Sequence, residues 1–256
     1  MTAATWSQKD ILSNALCNLA RLDVRNYVVA ALDQNIFNWA AFRGHGVFPF
    51  PPHKENLEKI KLSSAAVLEA LGLGYSVFFL DPDVVLFKNP VQHIVDFSRM
   101  LVLSNAPFIE SEEQIDVFEH TSAPRNGARR INSGCYFVPA TKPAISAFMV
   151  LQSHALANSD SSEEPSFFNI FCLPPWGGVN SKSTPPQGCV FVSTAGALQM
   201  KFLDFSAFAQ GSVFLSQEDP AFTGVLYHNW IKDDPEKIQK QKAAGLWFLR
   251  PDLTCF

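Results

Sequence analysis

At 256 residues and 47% apolar composition, the chain is long enough to bury one large core. A net charge of −4, with no basic run longer than Arg129-Arg130, argues against nucleic-acid binding on electrostatic grounds. No apolar stretch reaches the roughly 20 residues that cross a bilayer, and residues 1–6 lack the basic start and apolar core of a signal peptide.

The first predicted element is a helix opened by Ser7 as a hydroxyl cap, with Asp10 three residues on and Leu12, Ala15, Leu16 and Leu19 on one apolar face. A buried strand over 27–32 ends at Asp33, a short helix covers 36–42, and a strand over 47–50 stops at Pro51-Pro52. A long helix over 57–71 turns Ile60, Ala65, Leu68 and Leu71 inward. The run over 77–80 is wholly apolar, as in a strand buried on both faces. It breaks at Asp81-Pro82-Asp83, and 84–87 is apolar again.

Two carboxylates between apolar segments are costly to bury without a cationic compensator. A divalent metal is the simplest one, since Mg²⁺ and Mn²⁺ commonly take one or two carboxylates together with substrate phosphates. Pro82 fixes φ between the two acids and stiffens the turn that presents them. Asp-x-Asp is common, so on spacing alone two carboxylates capping a turn after a strand are the more frequent account.

Beyond this point a short helix is predicted over 91–97 and a strand over 100–103. Residues 105–130 read as irregular. Asn132-Ser133-Gly134 reads either as a turn at a strand entrance or as two hydrogen-bonding side chains beside a close backbone approach. Helices follow over 143–157 and 166–171, where Glu163 and Glu164 suit a helix N-terminus. Residues 173–189 form a Pro-, Gly- and Ser-rich loop on the acceptor side. A strand or turn over 201–208 and a last strand over 225–230 precede a charged helix over 235–244 that Gly245 stops.

Strand–helix alternation predicts an α/β fold: a mostly parallel central sheet with helices on both faces, in a single domain over 1–256. Ligands of such sheets bind beyond the carboxyl ends of the strands, where Asp81 and Asp83 fall. The five cysteines (Cys17, Cys135, Cys172, Cys189, Cys255) show no close-spaced metal motif. Their odd number fits scattered core thiols, with Cys172 and Cys189 as partners across a loop if the compartment oxidises. His45, His53, His93, His120 and His154 show no partner and read as surface or packing residues.

Several of these segments, taken in order, resemble the nucleotide-diphospho-sugar transferases of GT-A fold that include the plant rhamnogalacturonan xylosyltransferases and extensin arabinosyltransferases. The residues that carry the likeness are Leu73-Gly74-Tyr75, Asp81-Pro82-Asp83-Val84-Val85, Asn89-Pro90, Asn132-x-Gly134 before Phe137-Val138, Phe168-Asn169, His228-Asn229-Trp230-Ile231, Lys237-Ile238 and Gly245-Leu246-Trp247. The resemblance implies a metal-dependent, retaining glycosyltransferase that moves xylose, arabinose or galactose from a UDP-sugar to a glycan or glycoprotein acceptor. Asp81 and Asp83 would hold Mn²⁺ or Mg²⁺, with His228 as third ligand, and Asp83 and Glu164 would be catalytic. Thr2, Ala3, Asp81, Asn132, Ser133, Gly134, Asn229, Trp230, Lys232 and Lys237 would bind the donor or substrate. It further implies the Golgi lumen, while the lack of an anchor or signal in this sequence leaves a soluble fragment or a cytoplasmic chain open.

Three departures stand against the family pattern. Glu164-Pro165 replaces Asp-Gln; Tyr227 takes the usual His position, so that His228 needs a bulge to act as a ligand; and the first strand, near Thr2-Ala3-Ala4, is almost missing. Two other readings stay open: a catalytically inactive GT-A-like domain that binds a nucleotide-sugar or partner, and a metal-dependent phosphohydrolase drawing on Asp33 or Asp204.

Overall fold

The computed structural model describes residues 1–49, 59–94, 97–104, 131–157, 163–172, 175, 177–179, 188–204, 207–210, 224–228 and 234–256. Its first strand, β1 (Thr2–Ala4), has only three residues, all buried. β1 pairs in parallel with β2 (Val29–Ala31), and β2 in parallel with β3 (Val47–Pro49). On the other side the Met1 nitrogen donates to Phe78 O at 2.7 Å, and Leu80 N–H donates to Met1 O at 3.0 Å. These two bonds carry the parallel arrangement on into β4 (Val77–Leu80). The first strand expected to be almost absent is therefore present, held from both edges.

Between these strands lie α1 (Lys9–Arg21), α2 (Gln34–Phe42) and α3 (Lys59–Gly72). Ser7 does not cap α1 as its position suggests. A 3₁₀ turn over Trp6–Gln8 intervenes, and the Ser7 hydroxyl lies 2.9 Å from that of Thr5. Asp33 caps α2 instead, its Oδ1 accepting from Ile36 N–H at 2.9 Å.

After β4 come β5 (Val84–Leu86), a 3₁₀ turn over Pro90–His93, β6 (Met100–Ser104) and β7 (Ile131–Val138). Helices α4 (Lys142–Ala157) and α5 (Glu163–Cys172) lead to β8 (Gly177–Val179), β9 (Gly188–Ser193), β10 (Gly196–Phe202), β11 (Phe208–Gln210), β12 (Leu226–His228) and α6 (Asp234–Ala243). The large sheet runs β4-β7-β6-β10-β9-β8, with β7 antiparallel to both neighbours and β6 parallel to β10. A small sheet, β11-β12-β5, stands apart from it. The stretch expected to be a loop over 173–189 contains β8, hydrogen-bonded to β9. Gly177 suits this place because a Cβ there would collide with the Phe171 carbonyl of α5.

All eight residues of β7 are buried, because helices cover both faces of the sheet. One face packs Tyr136 against Phe79 (centroids 5.0 Å, stacked) and against Phe148 and Phe167 from α4 and α5. The other sets Phe137 and Leu101 against Leu12, Leu16 and Leu19 of α1 and against Val84, Leu86 and Leu226 of the small sheet. The cysteines are not scattered thiols. Cys17 joins Cys255 and Cys172 joins Cys189 as disulfides, leaving Cys135 free and buried. No helix among the described residues is long and apolar enough to cross a membrane.

Candidate functional site

The site is built by a tight turn. Val84 N–H donates to Asp81 O at 3.1 Å, closing a β-turn with Pro82 at its second position, where proline's fixed φ is favourable. The turn takes the chain out of the large sheet, at β4, and into the small one, at β5. There β12 runs antiparallel to β5 with His228 opposite Val84 and Tyr227 opposite Val85. Strand alternation then separates the two side chains. Tyr227 packs with Val85 and Leu246, while His228 turns towards the acid pair. No bulge is needed: the regular register delivers the histidine from its displaced sequence position.

His228 Nε2 lies 3.2 Å from Asp83 Oδ1 and 3.8 Å from Asp81 Oδ2. One ligand atom from each of Asp81, Asp83 and His228 falls within 4.8 Å of the others. Asp83 and His228 are buried, whereas the Asp81 side chain is 42% exposed, so the cluster opens to solvent on the Asp81 side. Two carboxylates and an imidazole are a donor set that suits a hard or borderline divalent ion. The buried Oδ1 of Asp83 faces His228 as an ion-pair partner, without a well-aligned hydrogen bond.

Asn132, Ser133 and Gly134 lie inside β7 rather than in a turn before it. The pairing with β6 jumps from Val102↔Tyr136 to Leu103↔Asn132, so Ser133 and Gly134 belong to a bulge. Gly134 O accepts from Asp81 N–H at 2.8 Å, and Gly134 N–H donates to Asn132 Oδ1 at 2.8 Å. A Cβ at Gly134 would sit 2.7 Å from His228 Nε2 and 2.8 Å from Asp81 Oδ2, closer still to His228 Cε1. Glycine leaves the Asp81 and His228 side chains room to converge in this arrangement.

Burial alone would raise the Asp83 carboxyl, but the His228 ring and the Lys237 ammonium beside it hold it at about 2. Lys237 Nζ lies 2.8 Å from Asp83 Oδ2 and 3.7 Å from Asp234 Oδ1. Burial opposes the lysine's charge, yet the Asp83 carboxylate prevails and lifts its pKa above the usual value. Burial, with the Asp83 charge adding, pushes Tyr227 up to about 12; burial and then Asp81 raise the Cys135 thiol, so both stay neutral at physiological pH.

Three buried amides that hydrophobic patterning passes over support this corner. Gln241 Nε2 donates to the Asp83 carbonyl at 3.1 Å, and Asn14 Nδ2 donates to Gln241 Oε1 at 3.2 Å. Asn18 donates to Leu86 O (2.9 Å) and accepts from Leu86 N–H (2.7 Å), bonding β5 from α1 as a neighbouring strand would. Asn14 and Asn18 signal themselves in the sequence only as polar residues interrupting an apolar helical face, and Gln241, among charged residues, gives no signal.

Thr2 and Ala3 are buried within β1. Glu164 lies in the first turn of α5. Asn229, Trp230 and Lys232 fall outside the described residues, as do His53 and His120. Asp33 is engaged by Ile36 and Trp6 backbone N–H groups, which removes it from phosphohydrolase chemistry, and Asp204 is exposed. His45, expected to have no partner, meets the Tyr27 hydroxyl at 2.8 Å through Nδ1.

A parallel half-sheet feeding an Asp-x-Asp turn at its carboxyl edge, with a histidine brought in by a small second sheet, is an α/β arrangement of GT-A type. The family model for nucleotide-diphospho-sugar transferases matches residues 22–241, and the chain belongs to that family. It is 31% identical over 268 residues to "Beta-arabinofuranosyltransferase RAY1" of Arabidopsis thaliana; the match covers 96% of this chain and 47% of that protein, so the chain spans about half the relative's length. The fold is also that of the galactosyltransferase LgtC, solved with donor and acceptor sugar analogues (13% identity, TM-score 0.53, 98% of this chain and 96% of that one). The glycosyltransferase GlyE of Streptococcus pneumoniae shares it at 10% identity and a TM-score of 0.53, over 91% of this chain and 54% of that one.

Proposed function

We propose that the chain is a metal-dependent, retaining glycosyltransferase domain that moves a sugar from a UDP-sugar to a glycan or glycoprotein acceptor. The convergence of Asp81, Asp83 and His228 at the carboxyl edge of the sheet carries this reading. Among xylose, arabinose and galactose, the relative's name favours arabinose. Asp81, Asp83 and His228 would hold Mn²⁺ or Mg²⁺, which when bound neutralises charge on the diphosphate leaving group.

The remaining roles belong to the chain itself. Asp81, the exposed member of the set, meets the incoming donor first. Gly134 keeps the approach open, and Asn132 and Ser133 contribute hydrogen-bonding side chains beside it. Glu164 faces the donor sugar and stabilises positive charge at its anomeric carbon, as carboxylates do in glycosyl chemistry. Lys232 and Lys237 contribute positive charge near the phosphates. Asn229 and Trp230 would bind the donor, and Thr2 and Ala3 would back the nucleotide end. The reading takes 1–256 as a single domain with residues 173–189 on the acceptor side. Two disulfides favour an oxidising compartment and so the Golgi lumen.

The test is thermal unfolding with UDP, with and without Mn²⁺, followed by UDP release from UDP-arabinose, UDP-xylose and UDP-galactose without acceptor. Ligand at a hundred times its Kd adds about 2.7 kcal/mol of stability, readily seen as a rise in Tm. The absence of a Mn²⁺-dependent shift with any of these nucleotides would defeat the reading.

A further inference from the structure

We propose that Gln241 and Lys237, one helical turn apart on α6, are positioning residues that aim a single oxygen of Asp83 at the cation site. The inference rests on the metal reading above; it gives Lys237 a task separate from its charge near the phosphates, and Gln241 one that involves neither cation nor donor directly. Residues four apart share a helix face, so α6 presents both side chains to Asp83 together. Lys237 takes carboxylate oxygen Oδ2 at 2.8 Å, and Gln241 takes the main-chain carbonyl at 3.1 Å. Oδ1 is thereby turned to the cluster, buried and facing His228 Nε2 at 3.2 Å without a well-aligned hydrogen bond. A carboxylate free to rotate about its last torsion could offer either oxygen or both; this one is restricted to one.

The amide orientations follow from their partners. The Asp83 carbonyl can only accept, so Gln241 must turn its nitrogen to it, leaving Oε1 for Asn14. Phe248 N–H can only donate, so Asn14 must turn its oxygen there (2.6 Å), leaving Nδ2 for Gln241 Oε1 and Leu246 O (3.1 Å). Asn14, Gln241 and Asp83 are each 2–3% exposed, so water does not compete for these bonds. The chain of amides thus locks Gln241, and Gln241 locks the backbone of the metal-binding turn.

The test compares wild type with Gln241→Met and Lys237→Met, each confirmed folded by circular dichroism. Mn²⁺ is titrated at fixed UDP and followed by thermal shift, with bound Mn²⁺ counted by electron paramagnetic resonance. Residues that orient metal ligands typically contribute about 10–100-fold to metal affinity. The expected result is a rise of at least tenfold in half-saturating Mn²⁺ for both variants, with Lys237→Arg recovering part of the loss. UDP affinity of Gln241→Met at saturating Mn²⁺ should equal that of wild type. A folded variant with wild-type Mn²⁺ half-saturation overturns the inference. So does a loss of UDP affinity in Gln241→Met that added Mn²⁺ does not recover. If Lys237→Met fails to fold, Gln241→Met decides; if Gln241→Met fails to fold, Gln241→Glu takes its place. Wild type that binds no UDP with Mn²⁺ refutes the metal reading itself, a different outcome from either of these.

Discussion

Gly134→Ala tests the site most directly, because the three atoms nearest the added methyl group all belong to the proposed ligands His228 and Asp81. Gly134 does not have positive φ, so alanine brings no backbone strain of its own. Its Cβ would lie 2.7 Å from His228 Nε2 and 2.8 Å from Asp81 Oδ2, against an optimal separation of about 3.5–4.0 Å. Something must move by roughly 0.7 Å or more. The Gly134 backbone is pinned by bonds to Asp81 and Asn132, so the His228 ring and the Asp81 carboxylate give way. Overpacking of this kind costs about 1–3 kcal/mol. For a chain of this size each kcal/mol lowers Tm by roughly 2–4 °C. Half-saturating Mn²⁺ for UDP binding should rise at least tenfold in the same variant, the scale of effect seen when metal ligands lose their orientation. The control is Gly134→Ala/His228→Ala, where the clash with the ring is gone. The stability cost of the alanine should shrink there, with a coupling energy of about 0.5–3 kcal/mol between the two changes. Additive costs, or a single variant with wild-type Tm and wild-type Mn²⁺ response, would refute the steric argument.

Asp83→Ala leaves the half-buried Lys237 beside an empty space with Asp234 still 3.7 Å away, and should cost less than the roughly 3–5 kcal/mol of breaking a fully buried pair from one side. Asp83→Ala/Lys237→Met should recover much of that stability in urea titrations while Mn²⁺-dependent UDP binding stays lost. Asp83 also sets a pH dependence. Its carboxyl titrates lower in the folded chain than in the unfolded one, so its contribution is complete above about pH 4 and is lost as pH falls towards 2. Acid-unfolding curves of Asp83→Asn should be flatter in that window; an unchanged slope between pH 4 and 2 would show that the carboxylate is not held as described. Finally, Cys17→Ser/Cys255→Ser should lower unfolding free energy by about 2–4 kcal/mol, and reductant should have a smaller further effect on this variant than on wild type.

Much of the architecture was legible because it rests on local patterns. The run over 77–80, the acid pair behind Pro82, the helix stopped by Gly245 and the helix after Asp33 each announce themselves over a few residues. What the sequence concealed was set by pairing at a distance. β1 has too few residues to read as a strand alone and is defined by neighbours on both sides. His228 looked one residue late until the β5–β12 register made its parity evident. Ser133 and Gly134 resemble a turn in sequence because a strand bulge uses the same residue types. The Cys17–Cys255 bridge spans 238 residues, beyond any spacing argument; the buried amides of Asn14 and Asn18 break the apolar pattern that finds a core, and that of Gln241 sits among charged residues.

Asn18 has a consequence outside chemistry. β5 is the rim of its three-stranded sheet, and a rim normally leaves main-chain groups open for another molecule's strand to zip against. By occupying both groups of Leu86 from a helix, one side chain closes that seam where another strand could attach. The rim that follows the Asp81-Pro82-Asp83 turn is thereby guarded against self-association by an asparagine rather than by a charge or a proline.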